Sequence, residues 1–167
     1  MRGNARVIAG LLTGAIVAAG LAAAAFAEGY TVDTAMVTIG GVPKTVLTDP
    51  KGMTLYYFSA DTPTKSACTG GCSSMWPALL STAMPTSEDQ LPGKLTVVRT
   101  ANGAQVAYNG HLLYTYAGDA AKGDTHGQGF AGKWWVATVD LKPAAAASSG
   151  GYGGDGGGGG NGGNGGY

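Results

Sequence analysis

Across residues 28–142 the apolar positions fall in short runs rich in Val, Leu, Tyr and Thr, cut apart by Gly, Asn, Asp and Pro. Asp49-Pro50-Lys51-Gly52, Ala101-Asn102-Gly103 and Asn109-Gly110 are turn sequences standing between such runs. Asn102-Gly103 and Asn109-Gly110 both suit a type I′ hairpin, whose two central residues need positive φ. The pattern predicts strands near 30–38, 44–48, 54–59, 95–100, 104–108, 111–116 and 133–139. No run of helical length carries a 3.6-residue period; a single helical turn fits within 72–79.

One stretch is written twice. Gly52-Met53-Thr54-Leu55-Tyr56-Tyr57-Phe58-Ser59-Ala60-Asp61 returns as Gly110-His111-Leu112-Leu113-Tyr114-Thr115-Tyr116-Ala117-Gly118-Asp119. Both read Gly-x-x-Leu-Tyr-x-aromatic-x-x-Asp. The same offset of about 58 residues carries Trp76 onto Trp134, which makes this a tandem repeat, about 45–79 and 103–139. Strand alternation puts Tyr56 with Phe58 on one face and Leu55 with Tyr57 on the other. Tyr114 with Tyr116, and Leu113 with Thr115, follow suit, so these strands are expected to be covered on both faces. Asp61 and Asp119 stand where each strand ends and are placed to accept N–H groups of the following loop. Trp76 and Trp134 are the large anchors. The fold expected is all-β: a small pseudo-symmetric sandwich or barrel, each repeat supplying one sheet.

The ends of the chain have a different character. Residues 1–27 carry Arg2 and Arg6, an apolar run, and Ala25-Phe26-Ala27 before Glu28, the layout of a secretory signal helix cleaved after Ala27. A retained anchor is the other reading of so long an apolar run, but the small residues at its end favour the signal. The protein is therefore expected to be secreted or periplasmic, with no stable membrane insertion after cleavage. Residues 143–167 pass from alanines to a Gly-rich stretch that buries too little apolar surface to order itself, and a disordered tail is expected. The whole chain is neutral, with 10 basic and 10 acidic residues. Loss of the leader leaves a net charge of −2, and nothing basic enough for nucleic acid.

The residues that could carry chemistry are few. Cys68 and Cys72 flank Thr69-Gly70-Gly71, and in an exported chain two cysteines this close read most simply as a disulfide. The competing reading is a redox or copper pair, with Met75 and His126 completing a soft ligand set. The repeat offset sets His126 opposite Cys68 and Phe130 opposite Cys72. His126 or His111 as a metal ligand competes with the simpler state of a solvated loop histidine. Gly127-Gln128-Gly129-Phe130-Ala131-Gly132 spells G-x-G-x-x-G, but it leads into a strand rather than opening a helix, so no dinucleotide follows. No nucleophile elbow is present, and Asp61 with Asp119 have structural work enough at their strand ends. The chain is accordingly read as non-enzymatic, without a cofactor, copper being the alternative.

Taken together these residues resemble a secreted-repeat family of bacterial envelope proteins, predicted lipoproteins with a Tyr-x-aromatic-x-x-Asp motif. That motif stands here at Tyr56, Phe58 and Asp61 and again at Tyr114, Tyr116 and Asp119. The family's Ser-x-Cys-x-x-x-Cys and following Trp-Pro look like Ser66 to Cys72 and Trp76-Pro77. Its Gly-Asp-x-x-Gly-Gln-Gly before an aromatic pair is similar to Gly123 to Gly129 and Trp134-Trp135. The resemblance covers about 45–139 and implies export and a two-repeat module, in a family without a settled biochemical function. No cysteine follows the apolar run, so lipid anchoring does not carry over. The function expected is an exported envelope or secreted module, binding an envelope or extracellular partner or serving structurally. The alternative is a redox or copper-handling protein using Cys68 and Cys72.

Overall fold

The chain opens on a hairpin. β1 (Asp33–Ile39) and β2 (Val42–Thr48) pair antiparallel from Asp33 opposite Thr48 to Ile39 opposite Val42. Between them Gly40 and Gly41 take φ of 59° and 82°, the primed turn that matches strand twist. This Gly-Gly turn is one the run pattern did not mark; β1 starts three residues after the expected 30–38 and ends one residue beyond it, and β2 starts two residues before the expected 44–48. The computed structural model describes residues 30–145; the expected signal segment and nearly all of the expected tail lie outside the described residues.

After the hairpin come β3 (Tyr56–Phe58), a helical turn α1 (Gly71–Met75), β4 (Leu95–Thr100), β5 (Gly103–Tyr108), β6 (His111–Leu112), a 3₁₀ turn (Phe130–Gly132) and β7 (Trp134–Val136). The class is all-β, as the alternation predicts. Among the described residues no helix is long and apolar enough to cross a membrane. The Asp49 turn forms as expected: the Gly52 amide donates to the Asp49 carbonyl at 2.8 Å, and Asp49 Oδ1 accepts from Lys51 and Met53. Asn109 and Gly110, with φ of 50° and 82°, make the expected turn between β5 and β6.

Two local expectations are corrected. β4 and β5 close at Thr100 opposite Gly103, so the central turn residues are Ala101 and Asn102, not Asn102 and Gly103. Asn102 does not take positive φ; its side chain is committed elsewhere. The helical turn expected in 72–79 runs instead from Gly71 to Met75. It stops because Trp76 precedes Pro77, which drives the preceding residue out of helical space, here to φ −125° and ψ 75°.

The two repeats do not fold into one sheet each. β3 pairs with β7, first repeat with second. Three backbone bonds then close a ring in each half: Leu47 N–H to Ala137 O, Leu55 N–H to Leu47 O, and Ala137 N–H to Leu55 O, at 2.8–2.9 Å. The same ring recurs as Val106 to Leu79, Leu113 to Val106, and Leu79 to Leu113, again at 2.8–2.9 Å. Each ring therefore takes two members from one repeat and its third from the other. Tyr56 and Tyr114 exchange backbone bonds at 2.8 and 2.9 Å and stand between the two halves. Strands that turn from one partner to the next in this way hold regular pairing only briefly. That is why β3, β6 and β7 are shorter than the 54–59, 111–116 and 133–139 expected.

The core has a layer on each face of these central strands. One is aromatic and includes Tyr56, Trp76, Tyr114, Trp134, Val46 and Cys68; the other is aliphatic, built on Leu47, Leu55, Val106, Leu113 and Ala137. Two-sided coverage was the expectation from alternation.

Candidate functional site

The repeat motif meets itself across the centre of the molecule. Tyr56 Oη donates to Asp119 Oδ2 at 2.7 Å, and Tyr114 Oη donates to Asp61 Oδ2 at 2.7 Å. Each tyrosine thus reaches the aspartate of the other repeat. The remaining oxygens do what the strand-end position predicts: Asp61 Oδ1 accepts from the Ala67 amide at 2.7 Å, and Asp119 Oδ1 accepts from the His126 amide at 3.0 Å. Alternation sets the tyrosines on the shared face, and the loop after each strand folds back to bring its N–H onto the carboxylate.

Burial pushes both phenols well above the usual tyrosine range, and the neighbouring carboxylates add to it. Burial also raises the Asp61 carboxyl, against the Ala67 and Tyr114 hydrogen bonds, which favour the ionised form. Neutral phenols donating to carboxylates suit a dry interior, because each donor is satisfied without a second charge.

Between these bonds lies a stack of four rings in the order Phe58, Trp134, Trp76, Tyr116, with centroid separations of 4.3, 3.8 and 4.3 Å. The stack obeys the same exchange, since Phe58 and Tyr116 are equivalent motif residues and the two tryptophans are equivalent anchors. The tryptophan rings are 2° from parallel. Tyr56 meets Trp76 edge-on at 5.4 Å, and Tyr114 meets Trp134 edge-on at 5.1 Å. Stacked and edge-to-face pairs each contribute about 0.5–1.5 kcal/mol beyond the area they bury. All eight motif and anchor residues singled out from the sequence are therefore brought into one assembly.

Cys68 and Cys72 are joined as a disulfide, with Cα atoms 5.2 Å apart. Cys68 is fully buried in the aromatic layer. The loop is held by Ser66 and Asn102, whose part in it the sequence did not reveal. Ser66 Oγ donates to Cys68 O at 3.0 Å and accepts from Asn102 Nδ2 at 3.1 Å, and Asn102 Nδ2 also reaches Cys68 O at 3.0 Å. Ser66 Oγ lies 2.8 Å from Tyr114 Oη as well. Asn102 was legible only as a turn former; its second task depends on where the hairpin tip lands.

The second-repeat loop corrects the equivalence drawn from the fixed offset. The amide on Asp61 is that of Ala67, and the amide on Asp119 is that of His126, so His126 stands opposite Ala67 and Gly127 opposite Cys68. The loop is one residue longer, and a constant offset cannot see it. His126 is largely exposed, its Nδ1 3.3 Å from Asp119 Oδ1 and 3.8 Å from Asp124 Oδ2. Asp124 is itself held by the Ala120 and Ala121 amides, which keep its carboxyl below the usual range. His111 lies elsewhere, its Nε2 3.0 Å from Lys142 O and its ring against Tyr57; burial lowers its pKa. Met75 is exposed beside Trp76. Among the described residues no three His, Cys, Asp or Glu side chains come together so as to hold a metal ion. The G-x-G-x-x-G letters span the 3₁₀ turn leading into β7.

Gly127 was legible only as part of a glycine-rich motif; its place against the rings is given by the structure. A Cβ there would lie 2.7 Å from Trp76 and 2.8 Å from Tyr56, so only glycine lets the loop sit against these rings. The Gly127 amide also donates to Tyr56 Oη at 3.3 Å. Gln128, next to it, accepts the Val136 amide on Oε1 at 2.8 Å. Buried Gln105 donates from Nε2 to Leu113 O at 3.1 Å.

Fold and motif define a two-repeat β module closed by reciprocal tyrosine–aspartate bonds. The chain belongs to a family described as a secreted repeat of unknown function, which matches residues 38–80 and 96–138, together more than half its length. It is thus an exported protein of a secreted family. No curated protein and no solved structure matches it.

Proposed function

We propose that the chain is a non-enzymatic extracytoplasmic module that binds a partner of the cell envelope or the surrounding medium, and that its repeat motif is the lock holding the two repeats together. The observation that carries this reading is the reciprocal pairing of Tyr56 with Asp119 and of Tyr114 with Asp61. The residues that look most like an acid/base pair spend their oxygens on each other's repeats and on loop amides. Asp119 is 9% exposed, and both tyrosines are fully buried, so the motif faces inward rather than towards a substrate. What the module offers a partner is its surface.

The test is cross-linking in the exporting cell, with a photo-reactive residue placed at exposed Met36 or Met84 and, as control, at buried Val46. A discrete adduct from an exposed position and none from the control is expected. Turnover of any substrate that disappears in Asp119→Asn while the fold persists would overturn the reading. So would copper held stoichiometrically by the purified chain and lost in Cys68→Ser.

A further inference from the structure

The two hairpins differ at the start of their outer strands. Just before β1, Val32 bridges Ser87, and the Thr31 and Val32 amides donate to Thr86 O; Thr34 Oγ1 bonds Asp89 at the start of the strand. The segment 86–89 thus covers the start of that edge, at residues 31–34. β4 is the terminal strand of its sheet, and no backbone bond to its outer side occurs among the described residues. A bare edge is a row of N–H and C=O groups ready for another strand.

A groove of about 470 Å³ runs beside β4, with Met84 and Ser81 on one wall and Lys94, Leu95, Val97 and Arg99 on the other. Met84 is 75% exposed, Leu80 near the groove 50%, and Val97 37%. Arg99 is shared with a second hollow that contains Lys65. Neither hollow is lined by any Asp or Glu, although the chain as a whole is neutral. Asp61, whose Oδ1 accepts the Ala67 amide in the second wall, turns its other oxygen inward to Tyr114. Lys65, Lys94 and Arg99 have no ion-pair partner among the described residues.

We propose that the outer edge of β4, with this groove, is the docking strip for an extended acidic peptide segment of a partner protein, taken up as an added strand. The proposal rests on the binding reading above and specifies its surface. Main-chain bonds to β4 would supply affinity, and side chains on the groove face would supply selection. Carboxylates would meet Lys94 and Arg99 near the two ends, about 17 Å apart along a strand, with apolar residues between them over Val97 and Met84. The exposed aliphatic side chains and the free backbone edge favour a peptide over an acidic polysaccharide, which has no ladder to offer.

The probe is the capped hexapeptide Glu-Thr-Val-Thr-Leu-Glu, whose carboxylates stand five residues apart like Lys94 and Arg99, labelled and titrated with the intact exported protein by fluorescence anisotropy. Saturable binding that weakens as salt is raised is expected, falling about tenfold or more in the double variant Lys94→Glu/Arg99→Glu. Near-UV circular dichroism of that variant should match the parent. A version with lysine in place of both glutamates should bind far more weakly, and N-methylation of alternate residues should abolish binding. Absence of saturable binding, equal binding of the lysine peptide, or indifference to N-methylation would each overturn the proposal. Competition by polygalacturonate but not by unlabelled peptide would assign the strip to a glycan and overturn it as well. Sedimentation showing that the protein dimerises through β4 would give the edge to a second copy, with the same result. A double variant that no longer binds the peptide but still gives the Met36 adduct in cells would overturn this site and leave the binding reading standing.

Discussion

Tyr56 and Tyr114 have folded-state pKa values raised above the unfolded value of about 10, so both must stay protonated for the core to hold. The stability they contribute is fully present below that pH and is lost as pH climbs towards the raised folded values. Urea midpoints should therefore stay level from neutrality to about pH 9 and fall steeply above it, with these two phenols titrating only on unfolding. Tyr56→Phe or Tyr114→Phe should each cost about 1–3 kcal/mol at pH 7, since a buried or half-buried carboxylate loses its donor. The double variant should show a flatter alkaline limb, which a midpoint-versus-pH series measures. Gly127→Ala should cost about 1–3 kcal/mol through its clash with Trp76 and Tyr56. Gly71→Ala, where a Cβ meets nothing within 4 Å, should be close to neutral by the same measurement.

Among the elements, the disulfide loop is the one whose bond can be removed cleanly. It closes a span of four residues, so the chain-entropy gain is about 2 kcal/mol, near the low end for such bridges. Cys68→Ala/Cys72→Ala should lose about that much with native near-UV circular dichroism retained, because Ser66 and Asn102 still hold the loop. Intact mass of the parent without reductant should fall two hydrogens short of the reduced form. The hairpins show what local sequence settles and what it leaves open. Asn109-Gly110 is a turn because asparagine and glycine tolerate positive φ, and that holds wherever the hairpin sits. Asn102-Gly103 carries the same letters, yet the turn forms one residue earlier, because register is set by the whole β4–β5 ladder and the Asn102 amide is drawn to the cysteine loop.

The molecule as a whole is held together by exchange. Leu79 of the first repeat completes the backbone ring of the second, and Ala137 of the second completes that of the first. Neither repeat can close its own ring, so a single repeat expressed alone should lack the near-UV signal of ordered tryptophan. The intact chain should unfold in one transition, with tryptophan fluorescence and far-UV circular dichroism coincident in urea. Two separable transitions would mean that the halves fold independently and that the exchange contributes little. Trp76→Ala should cost about 3–5 kcal/mol and lower the stability of both halves together, since the ring it removes is stacked between Trp134 and Tyr116.

The all-β class, the tandem repeat, the inward-facing tyrosines, the anchoring tryptophans and the strand-end role of the aspartates were all legible in the chain. Each follows from a local rule: side-chain alternation, turn chemistry, or similarity between two stretches. Which aspartate each tyrosine bonds, which repeat supplies the third strand of each ring, and why Gly127 must lack a side chain were decided only in three dimensions. A repeat written twice is equally consistent with each copy satisfying itself and with each satisfying the other. Only packing chooses, because crossing over is what lets four aromatic rings stack in one layer while the Tyr56 and Tyr114 phenols and both aspartates keep partners.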